Sequence, residues 1–155
     1  MDLIEKLNAI EEIKRLKARY LRFVDTKDWE GMREVFCEDA ILDLRYSGEV
    51  TDQFEPLPEC QDPRVFRSRD AILEFLRLRI DPKRTVHQGH CHEVEILSAH
   101  EARGIISLED RIMEADGSKL VMQGWGHYHE QYRHERGAWR IASSRVTRLH
   151  IERPS

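Results

Sequence analysis

The sequence lacks the features that would place it in a membrane, outside the cell or on nucleic acid. Its apolar runs are only a few residues long, far short of the roughly 20 residues that a membrane-spanning helix needs. The segment from Met1 to Lys6 contains two acids and no apolar core, which argues against an export signal. A net charge of −4 leaves no basic excess for nucleic acid. We therefore expect neither a membrane nor a nucleic acid as a partner.

Cysteine is also scarce. The three cysteines, Cys37, Cys60 and Cys91, are widely spaced and odd in number, which favours free thiols in a reducing compartment over a disulfide framework. The chain of 155 residues is 40% hydrophobic and 35% charged, which suffices for one domain with its own core. No repeat, low-complexity tract or linker divides it. We expect a cytoplasmic protein with a single domain over residues 1–155.

Helical patterning dominates the first half of the chain. Apolar residues recur at helical spacing from Leu3 to Val24, which predicts a long amphipathic helix with one buried side. A short second helix is predicted over Trp29–Phe36 and a third over Asp70–Leu78. Between these two, Ala40–Tyr46 has the pattern of a strand. Residues 47–66 contain one glycine and three prolines, which predicts a long loop of the kind that often has a function.

The second half of the chain has the pattern of strands. Four segments alternate with turn signals rich in small and polar residues. These segments are Thr85–Leu97, Glu101–Glu114, Lys119–His134 and Ala138–Ile151. Helices followed by hairpin-connected strands predict an α+β domain in which helices pack on one antiparallel sheet. Strands of this length must curve, and a curved sheet closed by helices encloses a pocket.

Several local strings resemble a known group of proteins. The most specific is Asp25–Trp29 (DTKDW), which is followed by Asp39–Asp43, Thr85–His87 and Gly137–Ile141 in that order. Over roughly residues 8 to 150 the chain resembles the scytalone dehydratase-like and SnoaL-like families of the nuclear transport factor 2-like superfamily. The resemblance implies a cone-shaped, curved antiparallel sheet with three N-terminal helices around a pocket, a fold also called cystatin-like.

The resemblance also implies a catalytic pair. The catalytic acid of the dehydratase falls on Asp25 and its catalytic histidine on His87, and both residue types are retained. A carboxylate that holds one ring nitrogen of a histidine makes the other nitrogen a general base. The two tyrosine positions that polarise the substrate carbonyl fall on Val24 and Leu44, so both phenols are lost. A second active-site histidine falls near Ile112.

Further residues of the expected pocket follow from the same resemblance. The serine and asparagine that line the dehydratase pocket fall on Tyr128 and Glu130, and the catalytic tyrosine of ketosteroid isomerases of this fold falls on Tyr20. The base of those isomerases falls on Leu44, which argues against isomerase chemistry. Four phenols are available to stabilise an enolate, and Tyr128 is the preferred one. The expected substrate-binding residues are Tyr20, Leu44, Tyr46, Ile112, Tyr128 and Glu130.

Histidine pairs offer an alternative interpretation as a metal site. His90 and His92 follow His87 in one strand, and His127 and His129 form a second pair. Iron and zinc sites use such pairs together with a carboxylate, but the second histidine motif of a cupin is absent from the sequence. If His87 faces the pocket, regular strand alternation places His90 and His92 on the opposite face. We therefore expect no metal and no cofactor.

These observations favour a cofactor-independent, dehydratase-like lyase that acts on a small cyclic or aromatic carbonyl compound through Asp25 and His87. The alternative is a non-catalytic small-molecule-binding module or subunit of the same fold, in which Asp25 is a loop or helix-capping acid and His87 a packed strand residue. Sheets of this fold often pack against each other. A homodimer or homotrimer is therefore expected, with Trp125, His127 and His129 facing the partner chain.

Overall fold

Residues 1–154 are described by a computed structural model and form three helices and one six-stranded sheet. The helices are α1 (Leu3–Thr26), α2 (Trp29–Val35) and α3 (Arg69–Ile80). The strands are β1 (Phe36–Asp43), β2 (Val65–Arg67), β3 (Lys83–Ile96), β4 (Glu101–Glu114), β5 (Leu120–Glu135) and β6 (Ala138–Glu152). The helices and the four long strands lie where the sequence predicts them, within two or three residues at each end.

Helix α1 is defined at both ends by local interactions. The Asp2 carboxylate accepts a hydrogen bond from the Glu5 amide at 2.8 Å, and the Glu5 carboxylate accepts one from the Asp2 amide at 2.7 Å, which together form a capping box. At the other end Lys27 takes a left-handed conformation that ends the helix. The buried side of α1 lies across the sheet and consists of Ala9, Ile13, Leu16, Lys17, Tyr20 and Val24.

The sheet has the strand order β2-β1-β6-β5-β4-β3. Neighbouring strands are antiparallel as expected, except that β1 runs parallel to β6. Strand β1 begins at Phe36 rather than at Ala40, because Phe36 is fully buried and pairs with Ile141 of β6. Strand β2 was not predicted. It lies at the end of the expected loop, where the Phe66 ring stacks on Phe75 of α3 at 4.1 Å between centroids.

The long strands curve around α1. Their pairing shifts register between His90 and His92, between Trp125 and Gly126, and between Gln131 and Tyr132, and each such irregularity bends a strand. Side chains of β4 and β5 alternate between an inner face toward α1 and an outer face. The inner face supplies much of the core and the outer face is partly exposed.

The segment between β1 and β2 is held to the domain at its middle. Arg45 is almost fully buried, and its guanidinium donates to both Asp43 carboxylate oxygens at 2.9 and 2.8 Å. The same guanidinium donates to the carbonyl oxygens of Glu55 and Pro56 at 3.1 and 3.0 Å. The predicted loop therefore has a fixed central portion.

None of the three helices within residues 1–154 has both the length and the apolar character needed to cross a membrane.

Gly126 tests the strand curvature. A Cβ atom at this position would overlap the Thr147 carbonyl oxygen and the Arg148 Cα atom of β6, so Gly126→Ala must push two paired strands apart. We expect the free energy of unfolding to fall by about 1–3 kcal/mol or more, measured by urea denaturation. The control is Gly48→Ala, whose nearest neighbour is a flexible arginine tip at 4.0 Å. An equal effect of both substitutions would contradict this account.

Candidate functional site

The structure brings Asp25 and His87 together although they are 62 positions apart. Asp25 lies in the last turn of α1 and His87 in β3. The His87 Nδ1 atom lies 2.7 Å from Asp25 Oδ1, and the His87 amide donates to Asp25 Oδ2 at 2.7 Å. The Thr85 hydroxyl donates to Oδ1 at 2.8 Å. Because a carboxylate only accepts, Nδ1 carries the proton in this arrangement, and in the neutral ring Nε2 then keeps its lone pair.

The pair is shielded but remains accessible. The His87 side chain is 11% exposed and that of Asp25 is 22% exposed. Asp25 does not cap a helix, since Lys27 ends α1 and the Asp28 carboxylate accepts from the Gly31 amide at the start of α2. Three donors instead fix the Asp25 carboxylate on β3. Held this way, His87 has the geometry of an oriented general base.

Asp110 is a site residue that the sequence reasoning missed. It pairs across the strands with His87, and both of its carboxylate oxygens accept from the Arg148 guanidinium at 2.8 Å. Arg148 also donates to the Ser47 carbonyl at 2.8 Å. The opposing residue is Gly124, where a Cβ atom would overlap both charged groups. The sequence signal that could have identified Asp110 is an acidic residue at a position of β4 whose neighbours on the inner face are apolar.

A second ion pair is buried deeper in the cone. Lys17 Nζ lies 2.6 Å from Glu130 Oε1, and both side chains are fully buried. Glu130 also accepts from the Ser144 hydroxyl at 2.9 Å and from the Tyr132 hydroxyl at 2.7 Å. Burial lowers the pKa of Lys17, and the charge of Glu130 opposes that effect. The interior is therefore strongly polar in this region.

Two phenols line this interior. Lys17 Nζ lies 4.0 Å from the Tyr20 ring centroid and 3.3 Å from that of Tyr128, and the two rings meet edge to face at 6.0 Å. The pKa of Tyr20 is raised by burial and by the charges of Glu130, Asp110 and Asp25. Burial also raises the pKa of Tyr128. Both hydroxyls therefore stay protonated at neutral pH and can donate.

The other predicted pocket residues divide into two groups. Ile112 pairs with Thr85, whose hydroxyl binds Asp25, so it lies beside the pair as expected. Leu44 lies in a separate surface depression with Phe66 and Phe75. The Tyr46 hydroxyl accepts a hydrogen bond from the Glu55 amide at 2.7 Å and so supports the loop. Leu44 and Tyr46 therefore lie in the region that follows β1, which ends at Asp43, and their role in substrate binding stays a prediction.

The prediction that His90 and His92 both lie on the face opposite to His87 was wrong for His92. His90 faces outward opposite Ser107, but His92 pairs with buried Ile106 and faces inward like His87. Cys91 takes a left-handed backbone conformation, with φ of 46°, and the resulting bulge reverses the alternation. The buried His92 Nε2 atom has no hydrogen-bond partner within residues 1–154.

The remaining histidine pair lies on the opposite side of the sheet. His127 and His129 are both on the outer face of β5, with ring centroids 6.1 Å apart, as expected. In the part of the chain that the structure describes, no three histidine, cysteine or acidic side chains converge on one point as metal ligands.

Comparison with known proteins identifies the family of this chain. The sequence model of the SnoaL-like domain matches residues 5–145. The chain belongs to the SnoaL-like family. The three-helix, curved-sheet architecture that the resemblance implied is confirmed, and it is shared with proteins of the cystatin-like fold.

Several solved structures share the fold of this SnoaL-like chain at low sequence identity. A type 2 hexachlorocyclohexane dehydrochlorinase, LinA, superposes with a TM-score of 0.79 at 15% identity, covering 99% of this chain and 94% of the other. A protein from Novosphingobium aromaticivorans, provisionally described as a scytalone dehydratase, gives 0.78 at 15% identity and covers 99% and 93%. A Mycobacterium tuberculosis protein of unknown function gives 0.74 at 25% identity and covers 96% and 76%.

The buried Lys17–Glu130 pair predicts a strong single-variant effect. Lys17→Met leaves a buried carboxylate unpaired, so we expect the free energy of unfolding to fall by about 3–5 kcal/mol, measured by urea denaturation. Lys17→Met/Glu130→Gln removes both charges, and the Gln amide can still accept from one of the Tyr132 and Ser144 hydroxyls and donate to the other, so the double variant should recover at least half of that loss. Lys14→Met, which removes a cation from an exposed pair with Glu11, is the control. A double variant as unstable as the single one would refute the pairing.

His92 predicts a pH effect on stability. Burial, with smaller contributions from Lys14 and Lys17, lowers its pKa below the ordinary value of 6.5. Below about pH 6.5 the unfolded chain therefore binds a proton that the folded chain does not, and stability falls as pH falls. His92→Gln should make the stability loss between about pH 7.5 and about pH 5.5 smaller. The measurement is chemical denaturation at both pH values, with exposed His100→Gln as control. An unchanged pH dependence in His92→Gln would contradict the assignment.

Proposed function

We propose that this SnoaL-like protein is a cofactor-independent lyase of the dehydratase type. Its substrate would be a small cyclic or aromatic carbonyl compound with a leaving group two carbons from the carbonyl. The observation that carries the proposal is the contact of 2.7 Å between His87 Nδ1 and Asp25 Oδ1. With Nδ1 bound to Asp25, Nε2 of the neutral ring is the nitrogen that can act as a base, and the amide and hydroxyl donors fix the orientation of the Asp25 carboxylate.

The proposed reaction is a proton abstraction followed by elimination. His87 Nε2 takes the proton from the carbon next to the carbonyl, and the electrons of that C–H bond form an enolate. The enolate then expels the hydroxyl group, which leaves as water after it takes a proton from the His87 imidazolium, and a carbon–carbon double bond remains. Asp25 stabilises the imidazolium during the step. No external oxidant, reductant or metal is needed for this balance.

The enolate oxygen needs a donor, because oxyanion stabilisation is usually the largest catalytic contribution. Tyr128, and with it Tyr20, supports this role because both phenols line the inner face and keep their protons. The Tyr132 phenol is already committed to Glu130 at 2.7 Å. The buried Asp110–Arg148 pair beside His87 provides a fixed polar wall, which favours a compact substrate with oxygen substituents over a purely apolar one.

A specific observation favours a second candidate, a non-catalytic binding module or subunit of the same fold. The interior holds two buried ion pairs, Lys17–Glu130 and Asp110–Arg148, of which the second lies beside His87, and the phenol positions of the dehydratase are Val24 and Leu44. A module of this kind would bind the same class of carbonyl compound and release it unchanged.

A panel of cyclic β-hydroxy ketones tests the proposal, since each elimination forms a conjugated enone with strong ultraviolet absorbance. For any compound that the wild-type protein converts, we expect His87→Gln to lower kcat/KM by about 10²–10⁴-fold because the base is removed. Asp25→Asn should act in the same direction.

The matched control is His90→Gln, which changes a histidine of the same strand on the outer face and should retain activity. Turnover that survives in both His87→Gln and Asp25→Asn would rule out the mechanism. Saturable binding of panel compounds to wild-type protein without any turnover would instead establish the second candidate.

A further inference from the structure

A groove of about 1080 Å³ crosses the outer face of the sheet, opposite to α1 and the catalytic pair. Its floor includes Arg145, His129 and Ile105, which pair in register across β6, β5 and β4. The residues next to these along each strand, such as Tyr128 beside His129 and Ile106 beside Ile105, are buried on the inner face. The groove is therefore separated from the catalytic pair by the thickness of the sheet.

One wall of the groove is preformed by the anchored loop. Glu55, Pro56 and Leu57 line it, and the Arg45 guanidinium holds the carbonyl oxygens of Glu55 and Pro56. The neighbouring Phe54 ring packs edge to face on Tyr46 with centroids 5.1 Å apart. Phe54 directly precedes the wall residues, and its ring is held between Tyr46 and Arg145 at the edge of the groove.

Most charges around the groove are already paired. Asp43 is held by Arg45 at 2.8 Å, and Glu95 by Arg103 at 2.6 Å. Asp39 is held by Arg133. These three ion pairs leave little free charge of either sign at their positions.

Among the arginines that line the groove within residues 1–154, Arg145 is the exception. It lies directly opposite Asp43 in the β1–β6 pairing, but both oxygens of Asp43 are taken by Arg45. Within residues 1–154 no acidic group forms an ion pair with Arg145, and its buried Nε atom has no hydrogen-bond partner. The guanidinium carbon lies 5.2 Å from the Phe54 ring centroid. Burying part of an unpaired cation is unfavourable, so an anion at this position would be stabilised.

Neutral polar groups surround Arg145. The His129 Nε2 atom lies 2.9 Å from the Thr147 hydroxyl, and burial together with the Arg145 charge lowers the pKa of His129. Ser143 and Gln131 lie in the next cross-strand pair, with their polar atoms 3.2 Å apart. The Ser143 hydroxyl donates to Gln131 Oε1, which leaves the Gln131 NH2 group to donate to an anion without adding charge.

We propose that Arg145 is the centre of a second ligand site on the outer face, which binds a small aromatic carboxylate. The guanidinium offers paired donors that match a carboxylate, while Phe54 and Ile105 provide apolar surface for a flat ring. Glu55 and Glu93 also line the groove, and their carboxylates disfavour a doubly charged phosphate more than a singly charged carboxylate. The site does not depend on the proposed lyase activity.

Titration of the full chain with benzoate and 2-naphthoate tests this site, with amide and side-chain NMR shifts as the readout. We expect saturable shifts centred on Phe54, His129 and Arg145. Arg145→Gln should weaken binding about tenfold or more, the effect of losing a charge-assisted hydrogen bond. Arg111→Gln is the matched control, because it removes one cation from the same face outside the groove and should leave binding unchanged.

Several results would overturn the proposal. These are the absence of saturation, shifts centred on the inner face, and equal affinity in Arg145→Gln. Inorganic phosphate that binds as tightly as benzoate would show that the site takes any anion and has no carboxylate preference. Light scattering that finds a wild-type oligomer dissociated by Arg145→Gln would assign the groove to a second copy of the chain.

Discussion

The Asp25 carboxylate connects the end of α1 to β3, and the candidate site depends on this connection. Three donors from β3, the Thr85 hydroxyl and the amide and ring nitrogen of His87, converge on one side chain. The same contacts fix the helix on the sheet and the imidazole in one orientation. They form because the buried side of α1 and its left-handed end at Lys27 bring Asp25 to this strand.

Buried charge is the second feature that shapes the domain. Lys17–Glu130 and Asp110–Arg148 lie on the inner face, where apolar residues of similar size often give equal or greater stability. Further hydrogen bonds from Ser144 and Tyr132 satisfy the remaining acceptor capacity of the Glu130 carboxylate. The two ion pairs give the interior a fixed polar arrangement around the two phenols.

Much of the fold was predictable because its elements have strong local patterns. The apolar residues at helical spacing mark where α1 begins and ends, and the alternating segments and turn signals do the same for the four long strands. The family resemblance indicates that Asp25 and His87 meet. Features that depend on distant contacts were not predictable. Strand β2 exists only through its pairing with β1, and the inward position of His92 follows from a left-handed Cys91. The Lys17–Glu130 pair joins residues 113 positions apart.

The measurement that tests the central claim most directly is long-range ¹H–¹⁵N NMR of the His87 ring at a pH where the ring is neutral. It reports which ring nitrogen carries the proton, independently of any substrate. The account predicts a protonated Nδ1 bound to Asp25 and an unprotonated Nε2 that is free to act as a base. In Asp25→Asn that preference should be lost. A wild-type ring protonated on Nε2 would contradict the account, because no lone pair would then face a substrate.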